Sequence, residues 1–306
     1  MRGRDLLSIR DLSPDELDML IQTALSMKHD GSPPLLEGKT AALVFEKPSL
    51  RTRVSFEVGM KQLGGSAIYL SQAEVGLGQR EPVEDVARVL SRYVSAIVAR
   101  TYAQETLVSL AAAADVPVVN ALSDDEHPCQ ALADLLTVLE RKGRLAGIRI
   151  AFIGDGNNVA ASLAMAAGLA GAEFVIASPP EYALPAAVID TTREWASRTG
   201  GAMETMTAPK DAVSGADVVY TDVWTSMGQE AERRQRLEAF QGYQVNAELM
   251  SLAKPDAIFM HDLPAHRGEE ITDDIIEGPQ SVVFQQAENR LHAQKALLAA
   301  VMAEDL

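Results

Sequence analysis

The sequence predicts an α/β protein of two domains, each a mainly parallel sheet flanked by helices. Apolar runs of strand length alternate with stretches of helical periodicity, the pattern of parallel strands joined by crossover helices. The alternation pauses after Lys142 and resumes at Gly147, so there are two such series. The chain has 306 residues, 47% hydrophobic and 23% charged, enough for two cores of ordinary domain size.

The first helix starts at Ser13-Pro14-Asp15-Glu16, with Ser13 as cap, Pro14 in the first position and acids in the first turn; it runs to about residue 28. Gly31-Ser32-Pro33-Pro34 is a linker. A buried strand follows over 40–46 and Pro48 stops it. A helix over about 53–63 ends at Gly64-Gly65, and 66–70 is the second strand. Segment 72–80, with Gly76 and Gly78, reads as a mobile loop, and Pro82 starts a helix through Tyr93. Strands at 96–100 and 116–120 flank a helix at 106–114. An apolar helix then runs from Ala131 to about Lys142. In the second series strands are expected at 148–153, 174–177, 218–221 and 257–260, with a helix at 159–169 and a helical tail from Glu288 to the end.

A net charge of −16 argues against a nucleic-acid groove, which needs clustered Lys and Arg. It leaves room for a small anion in a local positive pocket. The lone Cys129 rules out an internal disulfide and fits a reducing compartment. The N-terminus lacks a signal-peptide h-region, and the apolar stretch 159–180 is broken by Gly168, Gly171 and Glu173. A cytoplasmic protein with no membrane partner is expected.

Candidate chemistry gathers after the strands, where ligands of parallel sheets bind. Ser49-Leu50-Arg51-Thr52-Arg53 lies between strand and helix, where unpartnered N–H groups, two hydroxyls and two guanidinium forks suit an anion. An ordinary cap with two surface salt bridges is the plain alternative. Arg100 ends the third strand, and His127-Pro128-Cys129-Gln130 follows the fourth; all of these converge on one edge. In the second half Asp222 and Asp262 end two strands and offer a site to a cation or an amino acid. Gly154-Asp155-Gly156 resembles a dinucleotide fingerprint, but Val159 stands at the third glycine position, so a nicotinamide dehydrogenase is weakly supported. No metal or cofactor is expected, and His261 and His266 read as loop organisers. A cleft between the halves would bring a phosphorylated donor against an amine, which points to group transfer to nitrogen.

These residues match a family. Ser49-Leu50-Arg51-Thr52-Arg53, Arg100, His127-Pro128-Cys129-Gln130, Asp222-Val223-Trp224-Thr225-Ser226-Met227-Gly228, His261-Asp262-Leu263-Pro264 and Glu288-Asn289-Arg290 occur in the order found in the carbamoyltransferases. The chain resembles that family along essentially its whole length, most closely the members that use ornithine. The resemblance implies that Ser49, Arg51, Thr52, Arg100, His127, Gln130 and Arg290 hold carbamoyl phosphate, Leu50 adding its backbone N–H. It implies that Asn158, Asp222, Ser226 and Met227 hold L-ornithine, and that Leu263 contributes backbone. The catalytic set would be Arg51, Arg100, His127 and Asp262. Two positions depart from the pattern. Asp262 stands where most ornithine enzymes have the cysteine that contacts the amine. Gly76 stands where many have a glutamine that touches the donor, and Gln79 is the nearby substitute. The implied domains are 1–140 with the C-terminal helix of about 288–306, binding carbamoyl phosphate, and 141–287, binding ornithine. The family assembles as homotrimers or multiples of them, the loop at about 72–81 reaching a neighbour's site. A carbamoyltransferase acting on another amine, or a ligand-binding paralogue without activity, are the alternatives within this likeness.

Overall fold

The computed structural model describes residues 1–304; the last two positions of the expected tail, Asp305 and Leu306, lie outside the described residues. Two compact units divide the chain, Met1–Leu136 with the tail from Glu288, and Thr137–Ala287. The division falls inside two helices, Pro128–Lys142 and Val283–Met302.

The first unit holds strands β1 (Thr40–Phe45), β2 (Ser66–Ser71), β3 (Ala96–Arg100) and β4 (Val118–Leu122), all parallel, in the order β2-β1-β3-β4. β1 and β3 are interior strands buried almost throughout, and both read as unbroken apolar runs. Ala42, Val44, Ile97, Ala99 and Val118 form one core cluster with Val86 and Ala87 of the helix Val83–Leu90 and Leu107 and Leu110 of the helix Gln104–Ala113. The chain leaves β1 for β2 on one side and returns past it to β3 on the other. The crevice at such a switch point is where an open α/β sheet binds ligands. Here it lies between Phe45 and Arg100, which are paired in register.

The second unit holds β5 (Arg149–Ile153), β6 (Glu173–Ala177), β7 (Ala202–Met206), β8 (Val218–Tyr220) and β9 (Ile258–Met260), parallel in the order β7-β6-β5-β8-β9. The switch point falls between β5 and β8, so the turn 154–158 and the loop 221–228 flank the crevice. Ala151, Ile153, Val175, Val219 and Phe259 belong to one core cluster with Trp224, Phe240 and Tyr243.

Several elements differ from expectation. The helix after Pro48 begins at Leu50, because Ser49 caps it and Arg51 and Thr52 fit the first turn. Segment 72–80 is no irregular loop: Gln72–Val75 is a helical turn closed by Gly76 at φ +62°. The helix after Pro82 stops at Leu90, short of Tyr93. β4 lies two residues late because Leu6 pairs with it: Leu6 N–H donates to the Val118 carbonyl and Asn120 N–H to that of Leu6. The helix expected from Ala131 starts at Pro128, since proline suits a first helical position. The C-terminal helix starts at Val283 rather than Glu288. Strand β7 and the helix Ala186–Thr199 were not expected. β7 is a half-exposed edge strand with a weak apolar signal, and the helix buries only Val188, Thr192 and Ala196.

Candidate active site

In the first unit the strand-to-helix turn is an anion-binding terminus. Ser49 Oγ accepts the Thr52 N–H at 3.3 Å and its hydroxyl donates to Thr52 Oγ1 at 3.0 Å. Arg290, from the C-terminal helix, donates to Thr52 Oγ1 at 2.6 Å and to Gln130 Oε1 at 2.9 Å. Gln130 in turn donates to Asp134 at 2.8 Å. Thr52 thus accepts twice, and its own proton is left to donate to a ligand. Leu50 turns its side chain to solvent at 76% exposure, so its backbone is what it offers the turn.

His127 is buried immediately before the helix at Pro128, and its carbonyl accepts the N–H groups of Gln130 and Ala131. Burial, then the charges of Arg290, Arg100 and Arg51, hold its imidazole well below the usual histidine range. The ring is therefore neutral near pH 7, and it stands among the three arginines that the sequence singled out. Arg100 is buried at the end of β3, and its carbonyl accepts the Glu46 N–H at 2.8 Å. Arg53 does something else: it pairs with Glu57 at 2.9 Å and lies over the Tyr69 ring at 3.9 Å. The plain surface-pair alternative thus describes Arg53, while the charge of Arg51 is felt at the histidine. Gly76 makes a tight local turn in which Gln79 N–H donates to its carbonyl at 2.9 Å. A Cβ there would lie 2.7 Å from Arg80 Cβ, so at φ +62° the turn itself calls for glycine.

In the second unit Asp222, at the end of β8, accepts Asn157 Nδ2–H and the Val223 N–H, both at 2.7 Å. Asn157 also caps the helix Asn158–Leu169. Asn158 is the first residue of that helix, and its Oδ1 accepts the Val159 N–H at 3.0 Å. Burial, and next the charge of Asp262, raise the Asp222 carboxyl well above the usual range. Its nearest polar atoms and those of His261 and Asp262 lie within 4.8 Å of one another. His261 is buried. Burial opposes its charge, whereas the neighbouring carboxylates of Asp262, Glu270 and Asp222 favour it. The Leu263 N–H, however, donates to Nδ1 at 2.9 Å. That backbone donor cannot turn away, so we place the ring proton on Nε2, facing Glu270 at 3.1 Å. His266 donates its N–H to the same Glu270 at 2.6 Å, so both histidines organise this loop. Leu263 has φ +61°, uncommon for a residue with a side chain and a mark of functional turns. Ser226 and Met227 lie on the loop after Trp224; Ser226 N–H donates to Gln229 at 3.1 Å, and Met227 is half exposed.

The structure thus gathers Ser49, Thr52, Gln130 and Arg290 by direct hydrogen bonds, with Arg51 and Arg100 around His127. It gathers Asp222, His261, Asp262 and Leu263 separately. Sequence reasoning passed over Asn157, Glu270 and the pair Asp155–Arg236. The signal for Glu270 was a fully buried carboxylate nine residues after a histidine, which no local pattern reveals. The glycines of 154–156 also find a local cause. A Cβ on Gly156 would lie 2.3 Å from the Leu184 nitrogen, so chain packing requires glycine there, and the dinucleotide reading loses its main support.

Comparison with known proteins agrees with this geometry. Residues 4–140 match the carbamoyl-P binding domain of aspartate/ornithine carbamoyltransferase, and residues 146–301 match the Asp/Orn binding domain. An ornithine carbamoyltransferase of Thermococcus kodakarensis is 53% identical, over 99% of this chain and 97% of that protein. An anabolic ornithine carbamoyltransferase of Pyrococcus furiosus is also 53% identical, over 99% and 97%. The solved structure of ornithine carbamoyltransferase from Pyrococcus furiosus superposes with a TM-score of 0.95 at 52% identity, covering 98% of this chain and 97% of that one.

Proposed function

The chain belongs to the aspartate/ornithine carbamoyltransferase family, and we propose that it transfers the carbamoyl group of carbamoyl phosphate to the δ-amine of L-ornithine, giving L-citrulline and phosphate. One observation carries the assignment of the donor site. A neutral, buried His127 stands among Arg51, Arg100 and Arg290 beside a Ser49-capped helix terminus, in a chain of net charge −16. So much positive charge around a neutral ring calls for an anion with a polar carbonyl beside it.

The chemistry follows from these groups. The amine nitrogen attacks the carbamoyl carbon and a tetrahedral oxyanion forms. The C–O bond to phosphate then breaks, and phosphate leaves with the electron pair. Arg100, the neutral His127 and the remaining Thr52 proton are assigned to the oxyanion, donors worth about 3–4 kcal/mol each. Arg51, Arg290, Ser49 and the Leu50 N–H are assigned to the departing phosphate. Ornithine must react as the free amine. With a lysine-like pKa near 10.4, about one molecule in a thousand is neutral at pH 7.4, a cost of roughly 4 kcal/mol. Asn158, Ser226, Met227 and the Leu263 backbone are assigned to hold the amino acid. Asp222 and Asp262 receive the ammonium and take its proton. A second proton leaves the nitrogen after attack and ends on phosphate.

A role in arginine biosynthesis is proposed from the anabolic relative, and a homotrimer from the apolar face described below. Among the described residues no helix is long and apolar enough to cross a membrane, and a cytoplasmic location is proposed from the lone buried Cys129. The test is citrulline formation from carbamoyl phosphate with ornithine, against putrescine, lysine and acylated ornithines. Ornithine should be preferred, and Arg100→Ala should lower kcat by about 10²–10³-fold. Activity confined to another amine would overturn the substrate assignment.

A further inference from the structure

Arg236 takes no part in the reaction above, yet it is buried in the second unit with Nη1 and Nε both hydrogen-bonded. Nη1 donates to Asp155 Oδ2 at 2.7 Å and to the Trp224 carbonyl at 3.0 Å; Nε donates to Glu232 at 3.1 Å. The guanidinium lies 4.7 Å above the Tyr182 ring. Below it Trp224 stacks on Phe240 at 5.4 Å, and Phe240 packs on Tyr182 at 4.9 Å and on Tyr243 at 5.8 Å. We propose that Arg236 is a positioning residue, a clamp that fixes the loop 222–228 to the turn 154–158 and so holds Ser226 and Met227 where ornithine is bound.

Three observations argue for a clamp rather than a plain packing contact. Arg236 joins the two segments that flank the crevice between β5 and β8, gripping each within three residues of a proposed ornithine ligand. A parallel tie, Asn157 to Asp222, joins the same two segments, so the connection is built twice. The loop beyond Trp224 is otherwise secured by short-range bonds: Ser226 N–H donates to Gln229, and Gly228 N–H to Glu230. Its anchorage therefore depends on what grips the Trp224 carbonyl. Asp155 fits the same role. Burial raises its carboxyl to about 6 against the pull of Arg236, a position a carboxylate keeps only with a cation at hand. A lysine could not reproduce the grip, because only the planar fork reaches a carboxylate, a carbonyl and a second acid while stacking on a ring.

The proposal rests on reading 222–228 as the ornithine loop, and two measurements separate its failure from failure of that reading. The first is steady-state kinetics of Arg236→Met, Arg236→Lys and Asp155→Asn. Ornithine KM should rise about 10–100-fold in Arg236→Met and Asp155→Asn and less in Arg236→Lys, while carbamoyl-phosphate KM stays within about twofold. The second is amide hydrogen exchange over 222–232, which needs no substrate. It should quicken in these variants while exchange in β5 and β8 is unchanged. If Arg236→Met does not fold, Asp155→Asn decides. Unaltered ornithine KM with unaltered exchange overturns the clamp, as does a uniform loss of both KM values together with global unfolding. If the parent makes no citrulline, the substrate assignment falls, and the exchange measurement alone decides the clamp.

Discussion

Burial and a second carboxylate act together on Asp222, and Asp262 is the residue that brings the second charge. An acid whose pKa is raised loses its negative charge earlier as pH falls. The ornithine site of this chain therefore loses its counter-charge at a higher pH than a site with one acid would. Asp262→Cys removes that neighbouring charge, since a thiol is neutral near pH 7. The acid limb of kcat/KM for ornithine should then move to lower pH, and coincident pH profiles of variant and parent would refute the coupling. His127 shows the opposite arrangement at the donor site. Its depressed pKa leaves the ring neutral, so its stability contribution is present above the unfolded value of about 6.5 and is lost as pH falls below it. These residues were legible because charged types stood after apolar strands. Asn157 as a partner of Asp222 was not, because 65 residues separate them.

Among the elements, the turn Gln72–Val75 with Gly76 is where local sequence and family pattern disagree. At φ +62° a side chain strains the backbone, and its Cβ would press on Arg80. Gly76→Ala should cost about 1–3 kcal/mol locally. Thermal unfolding together with carbamoyl-phosphate KM checks it, and an unchanged Tm would show that the turn yields freely. The helix Leu50–Gln62 was anticipated as an anion-binding terminus because Ser49 is a recognisable cap. Its start lay three residues earlier than expected, and this shift puts Arg51 in the first turn and sends Arg53 to Glu57 and Tyr69. The sequence shows the two arginines as equivalent; helical rotation separates them.

For the molecule as a whole, the helix Leu50–Gln62 exposes Leu50, Val54 and Val58 at intervals of four, and the edge strand β2 exposes Ile68. An apolar stripe left open on a single chain marks an interaction face. It supports the trimer reading, in which this face is covered by a copy. Light scattering should give three times the monomer mass. Val54→Lys with Val58→Glu should release monomers and lower activity, whereas a monomeric but fully active parent would remove the trimer. The excess of acids does not conflict with an anionic donor, since the arginines that matter are concentrated at one switch point.

The sequence by itself determined the α/β class, the two series of strands, the capped turn at Ser49 and the candidate residues at Arg100, His127, Asp222 and Asp262. Each of these has a local signature: an apolar run, a cap, a residue type at a strand end. Tertiary structure alone decided the strand order, and with it the two switch points that collect those residues into crevices. It also decided that Arg290 would knit Thr52 to Gln130, that Glu270 would orient His261, and that Arg236 would tie 155 to 224. The reason is one of range. Periodicity and capping act over a few residues, whereas the pairings that build this site run from nine residues (His261–Glu270) to 238 (Arg290–Thr52) and follow no local pattern, so only the packed chain brings them within hydrogen-bonding distance.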